Sequence, residues 1–135
     1  MIVVDTNVIV GLWLPTEWSA AAEQLLTSDP EWSAPLLWRS EFRNVLATYM
    51  RVGKLDLTAA LQISDAADNL LAGREYSIDS GSVLRLAATS RCSAYDCEFV
   101  ALAQHLGCQL VTLDRDLLKA FPSIARHLTS MRSDA

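Results

Sequence analysis

Ile2-Val3-Val4-Asp5-Thr6-Asn7 and Leu110-Val111-Thr112-Leu113-Asp114 are the two stretches on which the fold turns. Each is a short apolar run, without alternation of polar and apolar positions, that ends in an acid. Such a run suits a strand buried on both faces, as the strands of a parallel sheet are. Helical periodicity recurs between the two. Trp18, Ala21, Ala22, Leu25 and Leu26 share a face, with Thr16 as N-cap and Asp29-Pro30 as a stop. Glu31 to Ala34 reads as another short strand. Trp38, Phe42, Val45, Leu46 and Tyr49 form the stripe of a long helix that ends at Gly53. Further helices are expected from Thr58 to Gly73, from a cap at Asp79 or Ser80 through Val83, Leu84 and Ala87, and from Tyr95 to Leu106, closed by Gly107. Strands interleaved with helices predict an α/β fold with a mostly parallel sheet, and right-handed crossovers put helices on both faces. Sites in such sheets form outside the carboxyl ends of the strands. Asp5 and Asp114 fall at that end.

Composition narrows the function classes. A chain of 135 residues fits one domain, and 51% hydrophobic with 20% charged residues excludes a disordered chain. Eleven basic against sixteen acidic residues leave a net charge of −5, which excludes a protein that coats nucleic acid through bulk positive charge. The apolar N-terminus carries Asp5 and Asn7, lacks a basic n-region and is too short to span a membrane. Cys92, Cys97 and Cys108 are odd in number and lack a disulfide framework, so reduced thiols in a cytoplasmic protein are expected. With His105 they match no zinc-ligand spacing. His127 stands alone and is given no role.

Two more acids share the position of Asp5 and Asp114 at the margin of the core. At 100° per residue Glu41 lies about 40° from Val45 on its helix, and Asp96 about 20° from Ala103 on its own. Each alone has a structural explanation, since acids suit helix N-termini and Ser93 with Asp96 resembles a capping arrangement. Together they do not. Two unit charges 4 Å apart repel by about 4 kcal/mol at an effective dielectric of 20. Four clustered carboxylates therefore either keep some protons or hold a hard divalent cation. All-oxygen ligation suits Mg²⁺ or Mn²⁺. Thr6, Asn7 and Thr112 are placed to orient the carboxyls.

Asp5-Thr6-Asn7, Ser40-Glu41-Phe42-Arg43-Asn44-Val45-Leu46, Ala94-Tyr95-Asp96 with Val100-Ala101-Leu102-Ala103, and Val111-Thr112-Leu113-Asp114-Arg115 closely resemble the PIN-domain ribonucleases, and among them the VapC-type toxins. The resemblance runs from Ile2 to about Phe121. It implies one PIN domain over 1–130, with 131–135 a frayed tail, and a parallel sheet of about five strands with helices on both faces. It also implies that Asp5, Glu41, Asp96 and Asp114 match the acidic quartet that holds Mg²⁺ or Mn²⁺. The implied chemistry is hydrolysis of RNA phosphodiesters by metal-activated water, leaving 5′-phosphate and 3′-hydroxyl ends. Asp116 either extends the metal site or caps the turn from Leu117 to Ala120. The implied partners are tRNA, rRNA or mRNA as substrate, a VapB-like antitoxin, and a second copy in a homodimer.

An acidic protein that binds RNA needs local positive charge. Arg39 and Arg43 flank Glu41, Arg115 follows Asp114, and Arg91 precedes the Asp96 turn. Arg51 and Lys54 read as plain surface charge. Trp13 and Trp18 are the candidates for a groove that takes an antitoxin helix. Two other acidic α/β classes fit poorly. A phospho-acceptor receiver wants paired acids after the first strand, and a haloacid-dehalogenase-type phosphatase wants an acid where Asn7 stands. A PIN domain that binds without cutting is the closer rival.

Overall fold

Residues 1–131 are described by the computed structural model, in which five short strands, all parallel, form one sheet. They are β1 (Ile2–Val4), β2 (Trp32–Pro35), β3 (Glu75–Tyr76), β4 (Leu110–Thr112) and β5 (Ala125–His127), in the order β3-β2-β1-β4-β5. Seven helices connect them: α1 (Thr6–Val10), α2 (Ser19–Ser28), α3 (Leu37–Arg51), α4 (Leu57–Leu71), α5 (Ser80–Ser90), α6 (Ala94–Leu106) and α7 (Arg115–Ala120). The α/β class with a parallel sheet is as the sequence predicts.

Burial explains the strand compositions. Every residue of β1, β2 and β4 is buried, so none of the three shows alternation. α6 supplies much of the cover, with Phe99, Val100, Ala101, Leu102 and Ala103 all buried, and it packs on β1, β2 and β4. Gly107 ends it in the left-handed region at φ +66, where an L side chain would be strained. The chain leaves β1 toward β2 and leaves β4 toward β5, in opposite directions across the sheet. The β1/β4 pair is therefore the topological switch point, where a crevice opens beyond the strand ends.

Several boundaries differ from expectation. The segment after Asp5 is a helix, because the Asp5 side chain accepts from the Thr6 N–H and caps it. α2 begins at Ser19 behind Trp18, and Thr16 instead holds the preceding turn by accepting from the Trp18 N–H. Asp56 caps α4 through the Ala59 N–H, so that helix starts before Thr58. β3 has two residues and β5 carries Arg126 and His127, so neither announces itself as an apolar run. His127 ends β5 and caps a 3-10 turn through Thr129. Met131 packs against the core, and residues 132–135 of the expected frayed tail lie outside the described residues.

Leu102 is 1% exposed and Leu57 63% exposed. Leu102→Ala should cost about 2–5 kcal/mol in chemical denaturation, and Leu57→Ala should stay within about 0.5 kcal/mol.

Candidate active site

Asp5 sits one residue past β1, and its N–H donates to the Val111 carbonyl of β4 at 2.9 Å. Continuing the ladder in this way carries the side chain into the crevice, where the residue is only 6% exposed. Three donors surround its carboxyl. The Thr6 N–H reaches Oδ1 at 2.8 Å, while the Thr112 hydroxyl at 2.6 Å and the Asn7 amide at 3.4 Å reach Oδ2. The Thr112 Oγ1 also accepts from the Asp114 N–H at 2.9 Å, which fixes its proton on Asp5. Asn7 in turn accepts from the Leu113 N–H at 3.3 Å. The two strand ends are thus laced together by Thr112 and Asn7, while the Thr6 hydroxyl turns to Glu41 of α3.

The other acids come from three helices. Glu41, in the second turn of α3, accepts from the Thr6 hydroxyl at 2.7 Å through Oε1. Asp96 is in the first turn of α6, whose cap Ser93 accepts from the Asp96 N–H at 3.0 Å. Asp114 caps α7, with Oδ1 taking the Asp116 N–H at 2.8 Å and the Leu117 N–H at 3.4 Å. The cap of this turn is therefore Asp114, and Asp116 does not have that job. Asp116 is exposed in the first turn of α7.

The electrostatics join these groups into one series. Burial pushes the Asp5 carboxyl up to about 7, helped by the negative charges of Glu41 and Asp96 and opposed by the Thr112 and Thr6 hydrogen bonds. Glu41 is raised by burial, then by Asp96 and Glu98. Asp96 is raised by burial, then by Asp114 and Asp116. Glu98 on α6, half-buried and raised by burial, is an acid the sequence reading did not single out. Its spacing two residues from Asp96 gave no sign of a shared environment with Glu41. Among the described residues, no three His, Cys, Asp or Glu side chains stand close enough to ligate one ion as they are. The donor set is all oxygen and anionic, which fits a hard divalent cation that retains several waters. The thiols lie elsewhere: Cys97 is buried with Val83 and Ala101.

The cationic rim is smaller than expected. Arg39 forks onto Glu75 of β3, with Nη2 to Oε1 at 2.7 Å, and the Trp38 indole N–H donates to the same carboxyl at 2.7 Å. The pairing holds Glu75 below the usual carboxylate range. Arg39 is thus committed to fastening α3 to the sheet edge two residues before Glu41, and is not free for phosphate. Arg43, Arg91 and Arg115 are exposed, with no acid within ion-pair distance among the described residues. Of the two tryptophans, Trp13 packs edge-on against Phe42 at 6.1 Å. Trp18 lines an open groove of about 1030 Å³ with Ala21, Leu25, Leu128 and Met131.

A raised acid has a definite stability signature. Between an unfolded value near 3.9 and about 7, Asp5 keeps its proton only in the folded chain, so stability falls as pH rises across that window. In metal-free buffer the wild-type unfolding free energy, minus that of Asp5→Asn, should drop by about 3 kcal/mol from pH 4 to 7 and level off above about pH 8. A difference that stays flat or rises with pH would contradict the burial assigned to Asp5.

Residues 2–122 match the PIN domain family. Ribonuclease VapC3 of Pyrobaculum aerophilum is 30% identical over 133 residues, spanning 91% of this chain and 96% of that protein. The crystal structure of PAE2754 from the same organism has a TM-score of 0.76 at 22% identity, covering 96% of this chain and 92% of its own. FitAcB from Neisseria gonorrhoeae has a TM-score of 0.76 at 18% identity, covering 97% and 100%. A toxin–antitoxin complex from Klebsiella pneumoniae has a TM-score of 0.69 at 18% identity, covering 95% and 98%. These structural likenesses are likenesses of fold. With the family match spanning nearly all of it, the chain belongs to the PIN domain family.

Proposed function

We propose that this protein is an endoribonuclease dependent on Mg²⁺ or Mn²⁺, and that it is the toxin of a toxin–antitoxin pair. The observation that carries the reading is the Asp5 carboxyl, buried at the switch point among donors suited to its ionised form, with Glu41 and Asp96 also raised by burial and then by neighbouring acids. A divalent cation is the partner that would let Asp5, Glu41 and Asp96 ionise together. The PIN family and the similarity to a VapC ribonuclease support it.

In this reading Asp5, Glu41, Asp96 and Asp114 hold the ion, and Asp116 adds an exposed carboxyl at the same edge. Glu41 and Asp114 each engage one oxygen in a hydrogen bond among the described residues and keep the other for ligation. When bound, the ion supplies charge neutralisation at a scissile phosphate and lowers the pKa of a water. Thr6 and Thr112 restrain the orientations of Glu41 and Asp5, so the closing of the acids onto an ion falls to the other carboxyls. Asp5 must shed its proton to ligate, so ion affinity rises with pH toward about 7. Arg43 and Arg115 approach the phosphates of an RNA drawn from tRNA, rRNA or mRNA.

The VapB-like antitoxin would lay an amphipathic segment in the groove beside Trp18. The protein acts in the cytoplasm as a homodimer. No helix among the described residues is long and apolar enough to cross a membrane. The competing reading, a PIN domain that binds without cutting, draws on the open spacing of the acids. It leaves unexplained why a carboxyl is buried beside two others.

Purified protein incubated with tRNA and rRNA should cleave with Mg²⁺ and not with EDTA. Asp5→Asn and Asp96→Asn should each lower the rate by about a hundredfold or more, and Thr112→Val by about tenfold. Cleavage that survives EDTA, or that neither acid substitution slows, would sink the assignment.

A further inference from the structure

Cys92 and Cys97 stand at the two positions of a hydrophobic staple, one residue before the α6 cap Ser93 and four after it. Such a pair packs across the cap and sets the angle at which the chain enters the helix. Cysteine serves there as a small hydrophobe, and both residues join the cluster of Val83 and Ala101 between α5 and α6. The Cys97 sulfur lies 4.0 Å from the Cys92 carbonyl oxygen and 3.8 Å from the Ser90 hydroxyl. That same hydroxyl accepts from the Cys92 N–H at 3.2 Å, so both cysteines converge on one group. The turn that joins them to α5 is tight, with Arg91 in the left-handed region at φ +64. Any apolar pair would make a staple. Two thiols add a chemistry that packing does not need.

The two sulfurs differ in access. Cys97 is 0% exposed, whereas Cys92 is half-buried. A reachable thiol backed by a shielded one suits oxidation of the first and its resolution by the second. Cys108 lies past the other end of α6, about 15 Å along its axis from Cys97, and is out of reach. The pair also brackets Asp96. The Asp96 N–H donates to the Ser93 hydroxyl at 3.0 Å, and the Cys97 N–H donates to the Ser93 carbonyl at 3.0 Å. A disulfide holds its sulfurs about 2.05 Å apart, well inside packing contact. Closing one here draws the first turn of α6 toward Cys92 and takes Asp96 with it.

We propose that Cys92 and Cys97 are a redox-active pair whose reversible disulfide displaces Asp96 and slows the enzyme. The slowing, though not the bridge, rests on the nuclease reading above. The oxidant is a peroxide. Cys92 sulfur attacks it, an S–O bond replaces the O–O bond, and Cys92 becomes a sulfenic acid as one water leaves. Cys97 sulfur then attacks Cys92 sulfur, an S–S bond replaces the S–O bond, and the hydroxyl leaves with the Cys97 proton as a second water. The two sulfurs together give up two electrons, which reduce the peroxide. A cellular dithiol reverses the bridge by exchange. Transient bridges of this kind are the sort that reducing compartments permit.

The test treats the full chain with hydrogen peroxide, as wild type, Cys92→Ala and Cys108→Ser, and reads three quantities. Peptide mapping without reductant should find Cys92 joined to Cys97, in a chain lighter by two hydrogens, in wild type and Cys108→Ser alone. Cleavage of RNA in Mg²⁺ should fall about tenfold in those two proteins, recover in dithiothreitol, and stay within about twofold in Cys92→Ala. Thermal melts before and after treatment check that each chain stays folded. Cys97 left as a free thiol, or Cys92 carried on to a sulfinic acid, would overturn the proposal and leave the nuclease standing. So would a mapped bridge with cleavage undiminished, or a loss of cleavage that Cys92→Ala shares. Disulfide-linked dimers in place of the internal bridge would also overturn it. A reduced chain that never cuts RNA would sink the nuclease reading and the slowing with it, while the mapped bridge would still decide for or against the thiol pair.

Discussion

The hydrogen bond from the Asp5 N–H to the Val111 carbonyl extends the β1/β4 ladder one residue beyond β1, and it draws a carboxyl into a place with almost no water. Hydrogen bonds to a charged group are each worth about 1.5–3 kcal/mol. Removing a carboxylate from water costs several kcal/mol even after relaxation. Three donors converge on Asp5, one of them at a long 3.4 Å, and its carboxyl still rises to about 7. Burial and the neighbouring acids outweigh the donors. The surrounding hydrogen bonds are nonetheless arranged for an anion, and that mismatch is what a cation would resolve.

The rest of that end of the sheet holds this one group and its neighbours in place. Thr112 links Asp5 to the Asp114 backbone, Asn7 links the start of α1 to Leu113 just past β4, and Thr6 reaches Glu41. On the far side of β2, the Arg39–Glu75 fork pins the start of α3 and so limits where Glu41 can go. The site is therefore assembled from segments distant in sequence: hydrogen bonds tie the β1, α3 and β4 segments to one another, and Asp96 is set by Ser93 within its own turn. A scaffold tied in this way suits chemistry that depends on fixed charges more than on moving parts.

Much of this was legible in the amino-acid order. A charge that breaks off an apolar run is conspicuous, and Asp5 and Asp114 each end a strand in that way. Glu41 and Asp96 were visible as acids at the margin of helical stripes. What stayed hidden depended on tertiary pairing. Arg39 reads as a phosphate contact until β3, only two residues long, brings Glu75 beside it. Asp114 and Asp116 compete for one cap, and only backbone geometry decides for Asp114. The helix after Asp5 is five residues of largely β-branched sequence, held by its cap and by complete burial of Val8, Ile9 and Val10 against propensity. Glu98 joins the acidic series through the approach of α3 and α6, which no local pattern encodes.

Anomalous diffraction from crystals grown with Mn²⁺ tests the central claim most directly. The account predicts a peak in the crevice beyond β1 and β4, about 2.0–2.2 Å from a carboxyl oxygen of Asp5 and bridged, directly or through water, to Glu41, Asp96 and Asp114. A manganese-saturated crystal with no peak there, and with Asp5 still protonated between its donors, would contradict it.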